Sequence, residues 1–265
     1  MTSARRILLV VPFLEIGGAD KFNLDLVRLL TARGHAVSIV TTFPSADPWR
    51  AHFAALTPDI AALHPQVRPA DAPAFVLERA RAHRADTVLV TCSEVGYLLL
   101  PYLRAAAPGL AVLDYLHMEE EYWQGGGYPA MSLRAQQALD LSVVSSAHLR
   151  GWMLARGGDA ARLEVCTTNI DAAEWDPARF DRAALRRALG LAPDEAAILY
   201  AARLAPQKRP RLMAEVLARL AARGLRFTCL VAGDGRERAW LEAFASRRRA
   251  SYMRLLGAVS GARIR

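Results

Sequence analysis

The stretch Ile7-Leu8-Leu9-Val10-Val11-Pro12-Phe13-Leu14-Glu15-Ile16-Gly17-Gly18-Ala19-Asp20 sets the reading of the chain. A run of apolar residues, a proline and two glycines before an amphipathic segment reads as a buried strand, a turn and a helix. The run is continuous rather than alternating, as a strand covered on both faces requires. The segment from Asp20 to Arg33 places Phe22, Leu26, Leu29 and Leu30 on one helical face, and Gly34 stands where a helix-ending glycine belongs. Arg5-Arg6 ahead of the run imitates a secretory leader, but Glu15 interrupts it and no small-residue cleavage site follows. The expectation is a first strand in a cytoplasmic protein.

The same grammar repeats outward. Further strands are expected at Ala36–Thr41, Thr87–Thr91, Ala111–Leu116 and Leu141–Ser145, with a weaker one near Ile60–His64. Helices are expected near Ala74–His83, Gly96–Ala106, Met131–Leu139 and Ala147–Arg156. Such alternation marks a parallel α/β sheet. Asp171 to Pro177 lacks periodicity and reads as a linker, followed by a short helix, Ala183–Leu189. A second series then runs through strand Ala197–Ala201, helix Arg211–Arg223, strand Phe227–Val231, helix Arg236–Phe244 and strand Tyr252–Leu256, with a new helix opening after Gly257. The expected architecture is two Rossmann-like, doubly wound parallel-sheet domains, 1–170 and 196–265, joined by a linker and short helix at 171–195. Three strands leave an edge and much of two faces uncovered, so the second domain reads as incomplete.

Composition bounds the function. With 53% apolar and 23% charged residues the chain is a globular one with ample core, not a disordered one. No apolar run reaches the length of a membrane span. Cys92, Cys166 and Cys229 are odd in number and form no CxxC pair, which excludes a disulfide framework and a structural zinc site. Charge is unevenly spread: 15 basic against 16 acidic residues up to position 170, then 19 against 10, so the +8 of the chain comes from its second part. Only Lys21 and Lys208 are lysines, so an Arg-rich coding bias explains part of this excess. A phosphate-bearing partner explains it equally well.

Chemistry-bearing residues fall where strands end. Gly17-Gly18 at a helix start would let backbone amides approach a phosphate, although the same pair also makes a plain turn. No GxGxxG occurs and no acid follows the second strand, which disfavours a dinucleotide site. Downstream, Ala201-Ala202-Arg203-Leu204-Ala205-Pro206-Gln207-Lys208 carries two cations from a strand end towards the next helix. That is the edge where open α/β sheets bind ligands, and Arg plus Lys match the charges of a phosphate. Gly233-Asp234-Gly235 lies at the same edge after the next strand. His117 follows a central strand and could bond a ligand or handle a proton, whereas Glu119–Glu121 reads as a solvated helix start.

Taken together, these pieces resemble the retaining glycosyltransferases of family 4, with the GT-B fold. The resemblance rests on Gly17-Gly18-Ala19-Asp20, His117, Val143-Val144-Ser145-Ser146, Thr168-Asn169-Ile170-Asp171, Arg203-Leu204 with Gln207-Lys208, Gly233-Asp234-Gly235 and Leu256-Gly257, in the family's order. It implies that the first domain binds a glycan, lipid-linked or small-molecule acceptor and the second a nucleotide-diphosphate sugar, with reaction in the cleft between them. It further implies that Arg203 and Lys208 neutralise the leaving diphosphate without a metal or other cofactor. Gly17, Gly18 and Gly233-Asp234-Gly235 would assist them, and His117 would contact the transferred sugar. Charge grows on the departing diphosphate, so fixed cations there stabilise the transition state more than the ground state. Relatives carry an E-x7-E element later in the second domain, and none precedes Arg265. The resemblance therefore implies that this 265-residue chain, read as a C-terminally truncated enzyme of cell-envelope polysaccharide synthesis, is inactive alone.

Two alternatives stand beside this reading: a nucleotide-sugar epimerase of similar fold, and a non-catalytic nucleotide-binding chain. Peripheral membrane contact is weakly suggested by Arg247-Arg248-Arg249. A nucleic-acid partner is not expected, because the arginines are not interleaved with aromatic residues.

Overall fold

The computed structural model describes residues 3–168 and 170–259. Two compact units result, Met1–Asn169 and Ile170–Arg265.

The first unit is a seven-stranded parallel sheet. In chain order it runs β1 (Arg6–Val11), α1 (Gly18–Ala32), β2 (Ala36–Thr41), α2 (Arg50–Ala54), β3 (Ile60–Ala62), α3 (Ala72–Ala82) and β4 (Thr87–Thr91). It continues with α4 (Glu94–Ala106), β5 (Ala111–Leu116), α5 (Gly127–Ala135), β6 (Leu141–Val144), α6 (Ala147–Leu154) and β7 (Leu163–Val165). The strand order is β3-β2-β1-β4-β5-β6-β7, so the winding reverses between β1 and β4. Leu8 and Val10 of β1 face one core with Val88, Val90 and Val112, and Leu9 and Val11 face the other with Ile39, Leu24, Val27 and Phe53. Both faces are covered, which is why the strands are continuous apolar runs.

Two expectations need correction here. Helix α1 does not bury Phe22, Leu26, Leu29 and Leu30 as a stripe: Leu29 is 55% exposed, while Asp20, Asn23, Leu24 and Val27 are buried. Hydrogen bonding decides the rotation, because the Asn23 carboxamide oxygen accepts from the buried Thr91 hydroxyl at 2.9 Å. Strand β7 was not expected at all. It is three residues long and only Leu163 of it is buried, so it leaves no apolar signature.

The second unit contains α7 (Arg182–Ala188), β8 (Ala196–Ala201), α8 (Pro210–Ala222), β9 (Phe227–Ala232), α9 (Arg238–Arg248) and β10 (Met253–Gly257). Its sheet is parallel, in the order β10-β9-β8. One face packs on α8 and α9 through Cys229, Val231, Ala214, Leu217, Leu241 and Phe244. Edge strand β8 is poorly covered, with Leu199 53% exposed. The helix expected after Gly257 and the Asn169 of the motif around it lie outside the described residues.

Candidate functional site

In the first unit the loops after β1, β4 and β5 meet at the carboxyl edge, where the strand order reverses and a ligand crevice is expected. Gly17 caps α1 with extended backbone (φ −166°), so this glycine turn has no need of a left-handed residue. A Cβ on Gly17 would lie 3.0 Å from an Asp20 carboxylate oxygen, and one on Gly18 would meet nothing within 4 Å. Asp20 is buried in the first turn and accepts from the Glu15 amide at 3.1 Å. A negative charge thus already sits on the positive end of α1, where the sequence suggests a phosphate.

Cys92 follows β4 with φ +50°. Burial, with the Asp20 and Glu120 carboxylates, pushes its thiol up to about 12, so it is no nucleophile near neutrality. Next to it Ser93 caps α4, accepting from the Gly96 amide at 2.9 Å while bonding the Thr42 hydroxyl at 2.7 Å.

His117 directly follows β5. Its carbonyl accepts from the Ser145 hydroxyl, and Ser146 caps α6 by accepting from Leu149 at 3.1 Å. The imidazole stands edge-on to Phe22 (5.0 Å between ring centres, 88°) and to Tyr115 (5.0 Å, 63°). The Tyr115 hydroxyl donates to the Cys166 carbonyl at 2.7 Å and lies 3.2 Å from the Thr168 hydroxyl. Burial lowers the basicity of His117 below the ordinary 6.5, which keeps the ring uncharged near neutrality. Glu119, read from the sequence as merely solvated, bonds His148 at 2.8 Å. Burial raises its pKa, but the His148 bond, a backbone bond and nearby charges together outweigh this and hold the carboxyl below its usual range.

The second unit brings the remaining candidates together. Arg203 and Lys208 share the loop between β8 and α8, Lys208 ending the 3-10 turn Pro206–Lys208. The Gly233-Asp234-Gly235 loop after β9 is stitched to it: the Leu204 amide donates to the Asp234 carbonyl at 2.8 Å, and the Glu237 amide to the Leu204 carbonyl at 3.0 Å. Close approach explains both glycines. A Cβ on Gly233 (φ +156°) would lie 1.9 Å from the Ala202 carbonyl oxygen, and one on Gly235 (φ +148°) 2.7 Å from that of Leu204. Asp234 accepts from the Gly235 amide at 2.7 Å and from Arg238 at 2.8 Å, so its carboxylate holds the turn. These two bonds, the amide's first, keep it below the usual carboxylate range.

Ion pairing separates the cations of this edge. Arg211 pairs with Glu237 at 2.5 Å, and Arg238 pairs with Asp234 and Glu242. Arg203, Lys208, Arg209 and Arg236 are all exposed and form no ion pair among the described residues. Arg209 and Arg236 went unnoticed in the sequence, where an Arg-rich surface hides which cations have partners. Phe22 and Tyr115 as neighbours of His117 are not legible there either. Their signal was a polar or aromatic residue beside a strand end, which is legible only once the strands are ordered. The first unit also holds a small cavity lined by Ser132, Ser142, Met153, Asp159 and Arg162, towards the amino end of β6 and away from this chemistry. Among the described residues no three His, Cys, Asp or Glu side chains group as metal ligands, and no helix is long and apolar enough to cross a membrane.

No family model and no curated protein matches the sequence. Solved structures do match. HepE of Anabaena in complex with UDP is similar with a TM-score of 0.74 at 18% identity, over 96% of this chain and 70% of that one. A glycosyltransferase of Rickettsia africae gives 0.71 at 15% identity over 97% and 69%, and the lipopolysaccharide outer core galactosyltransferase WaaB gives 0.67 at 14% over 96% and 68%. The chain therefore has the parallel-sheet α/β architecture of GT-B glycosyltransferases that its motifs lead one to expect.

Proposed function

We propose that the chain belongs to a nucleotide-sugar-dependent glycosyltransferase, of retaining family 4 type, whose second unit holds the donor diphosphate. The observation that carries this is the pair of exposed cations without ion-pair partners among the described residues, Arg203 and Lys208, on a loop that two glycines and two backbone hydrogen bonds pin in place. HepE, similar in fold, binds UDP. A fixed guanidinium and ammonium offset the charge that gathers on a diphosphate as the glycosyl bond breaks, and they do so without a metal. The Gly233 amide donates to the Gly257 carbonyl and the Gly235 amide to Asp234, each at 2.7 Å, so these glycines shape the adjoining loop rather than bond the diphosphate. In the first unit, the helix start at Gly17 and Gly18 is already occupied by the buried Asp20. His117, uncharged and set against the rings of Phe22 and Tyr115, suits hydroxyl groups of a sugar.

The acceptor is a glycan or lipid-linked molecule of cell-envelope synthesis met by the first unit, at the inner face of the membrane. This chain spans about 70% of HepE, and its second unit binds the donor. Isothermal titration with UDP and GDP tests the reading. Arg203→Ala or Lys208→Ala removes one charged hydrogen bond and weakens nucleotide binding by about 10- to 100-fold. Wild-type affinity retained in both variants would overturn it.

A further inference from the structure

The surroundings of His117 say which of its nitrogens faces a ligand. Phe22 and Tyr115 stack on one another at 4.1 Å and 25°, and both meet the imidazole near its edge, so the ring cannot turn over without breaking two aromatic contacts. Nε2 is buried and has no hydrogen-bond partner among the described residues, whereas Nδ1 is not among the buried polar atoms left without one. An uncharged imidazole carries one proton, on one nitrogen or the other. On Nε2 it would be a buried N–H with no acceptor, the rarer and costlier defect in folded proteins. On Nδ1 it is free to reach a ligand.

We propose that Phe22 and Tyr115 are positioning residues that hold the His117 ring with its proton on Nδ1, so that it donates a hydrogen bond to a ligand oxygen rather than taking up a proton. Every element packed on the ring agrees. The faces from α1 and β5 are the aromatic Phe22 and Tyr115, Ser145 after β6 engages only the His117 carbonyl, and burial alone, with no carboxylate or cation, displaces its titration. The assignment of the proton stands on geometry; that the ligand oxygen belongs to a sugar rests on the function proposed above.

Long-range 1H–15N correlation spectra of the full chain, with histidine 15N-labelled and His117→Gln used for assignment, read the tautomer directly. The expected result is a protonated Nδ1 and bare Nε2 at neutral pH, with a titration midpoint below 6.5. Phe22→Ala should move that midpoint towards 6.5 and give the mixed tautomers of an exposed imidazole. Tyr115→Phe keeps the ring stack and should preserve the wild-type pattern. Should Phe22→Ala fail to fold, Phe22→Leu, which keeps apolar volume without an aromatic edge, carries the comparison. A proton on Nε2 in the wild type, or a spectrum unmoved by loss of the Phe22 ring, overturns the proposal. UDP titration of the same samples separates the two readings: no UDP binding beside an Nδ1 proton sinks the function alone, and UDP binding beside an Nε2 proton sinks this inference alone.

Discussion

Asp114→Asn tests the electrostatics of the first unit most sharply. Asp114 lies on β5, fully buried, and accepts from the Tyr97 hydroxyl at 2.8 Å. Burial pushes its carboxyl from 3.8 up to about 6, and the nearby Ser132, Ser142 and Tyr97 hydroxyls offset only part of this. The two serines bond one another at 3.1 Å, and the second carboxyl oxygen has no partner among the described residues. An unfolded chain ionises this group near 3.8 and the folded one near 6, so between those values the folded state holds the extra proton. Stability contributed by the protonated form is complete below 3.8 and is lost as pH rises through about 6. A rise of roughly two units at 1.36 kcal/mol each makes the cost at neutral pH about 3 kcal/mol. Asparagine keeps an acceptor for Tyr97, offers its amide to the serines and carries no charge. The variant should therefore be more stable than wild type by up to about 3 kcal/mol at neutral pH, with the gain vanishing below about pH 4. Urea unfolding followed by circular dichroism across that range measures it, and subtracting the wild-type curve cancels the other titrating groups. A difference independent of pH would refute the reasoning, because it would show that no buried charge is being relieved.

Other perturbations have equally definite outcomes. Gly233→Ala drives a methyl into the Ala202 carbonyl at a φ that side chains rarely adopt, and should cost the second unit at least about 3 kcal/mol, read from its denaturant midpoint. Ser93→Ala removes the cap of α4 and a partner of Thr42, lowering stability by about 1–2 kcal/mol in thermal unfolding. Gly18→Ala meets nothing within 4 Å and should leave stability within about 0.5 kcal/mol of wild type; a drop in UDP affinity in that variant would give the glycine turn a larger share of the diphosphate than Asp20 suggests.

What the residues alone determined was the pattern of elements. Buried parallel strands must be unbroken apolar runs, and helices beside them must be amphipathic, so β1, β2, β4, β5 and β9 stand out within a residue of their observed ends. Arg203, Lys208, His117 and the glycine pairs were also visible, since each follows such a run directly. Two things were written nowhere along the chain. One is the facing of α1, because a hydrogen bond from Thr91 makes burial of a polar residue, Asn23, favourable where apolar periodicity points elsewhere. The other is partnership. Arg211 and Arg238 carry the same charge as Arg203, yet carboxylates far apart or on the next turn claim them, and the His117 ring meets Phe22 of a helix nearly a hundred residues upstream. Local periodicity is a property of neighbours in sequence and survives in it. Which charge stays unpaired and which nitrogen stays dry depend on side chains that only folding brings together.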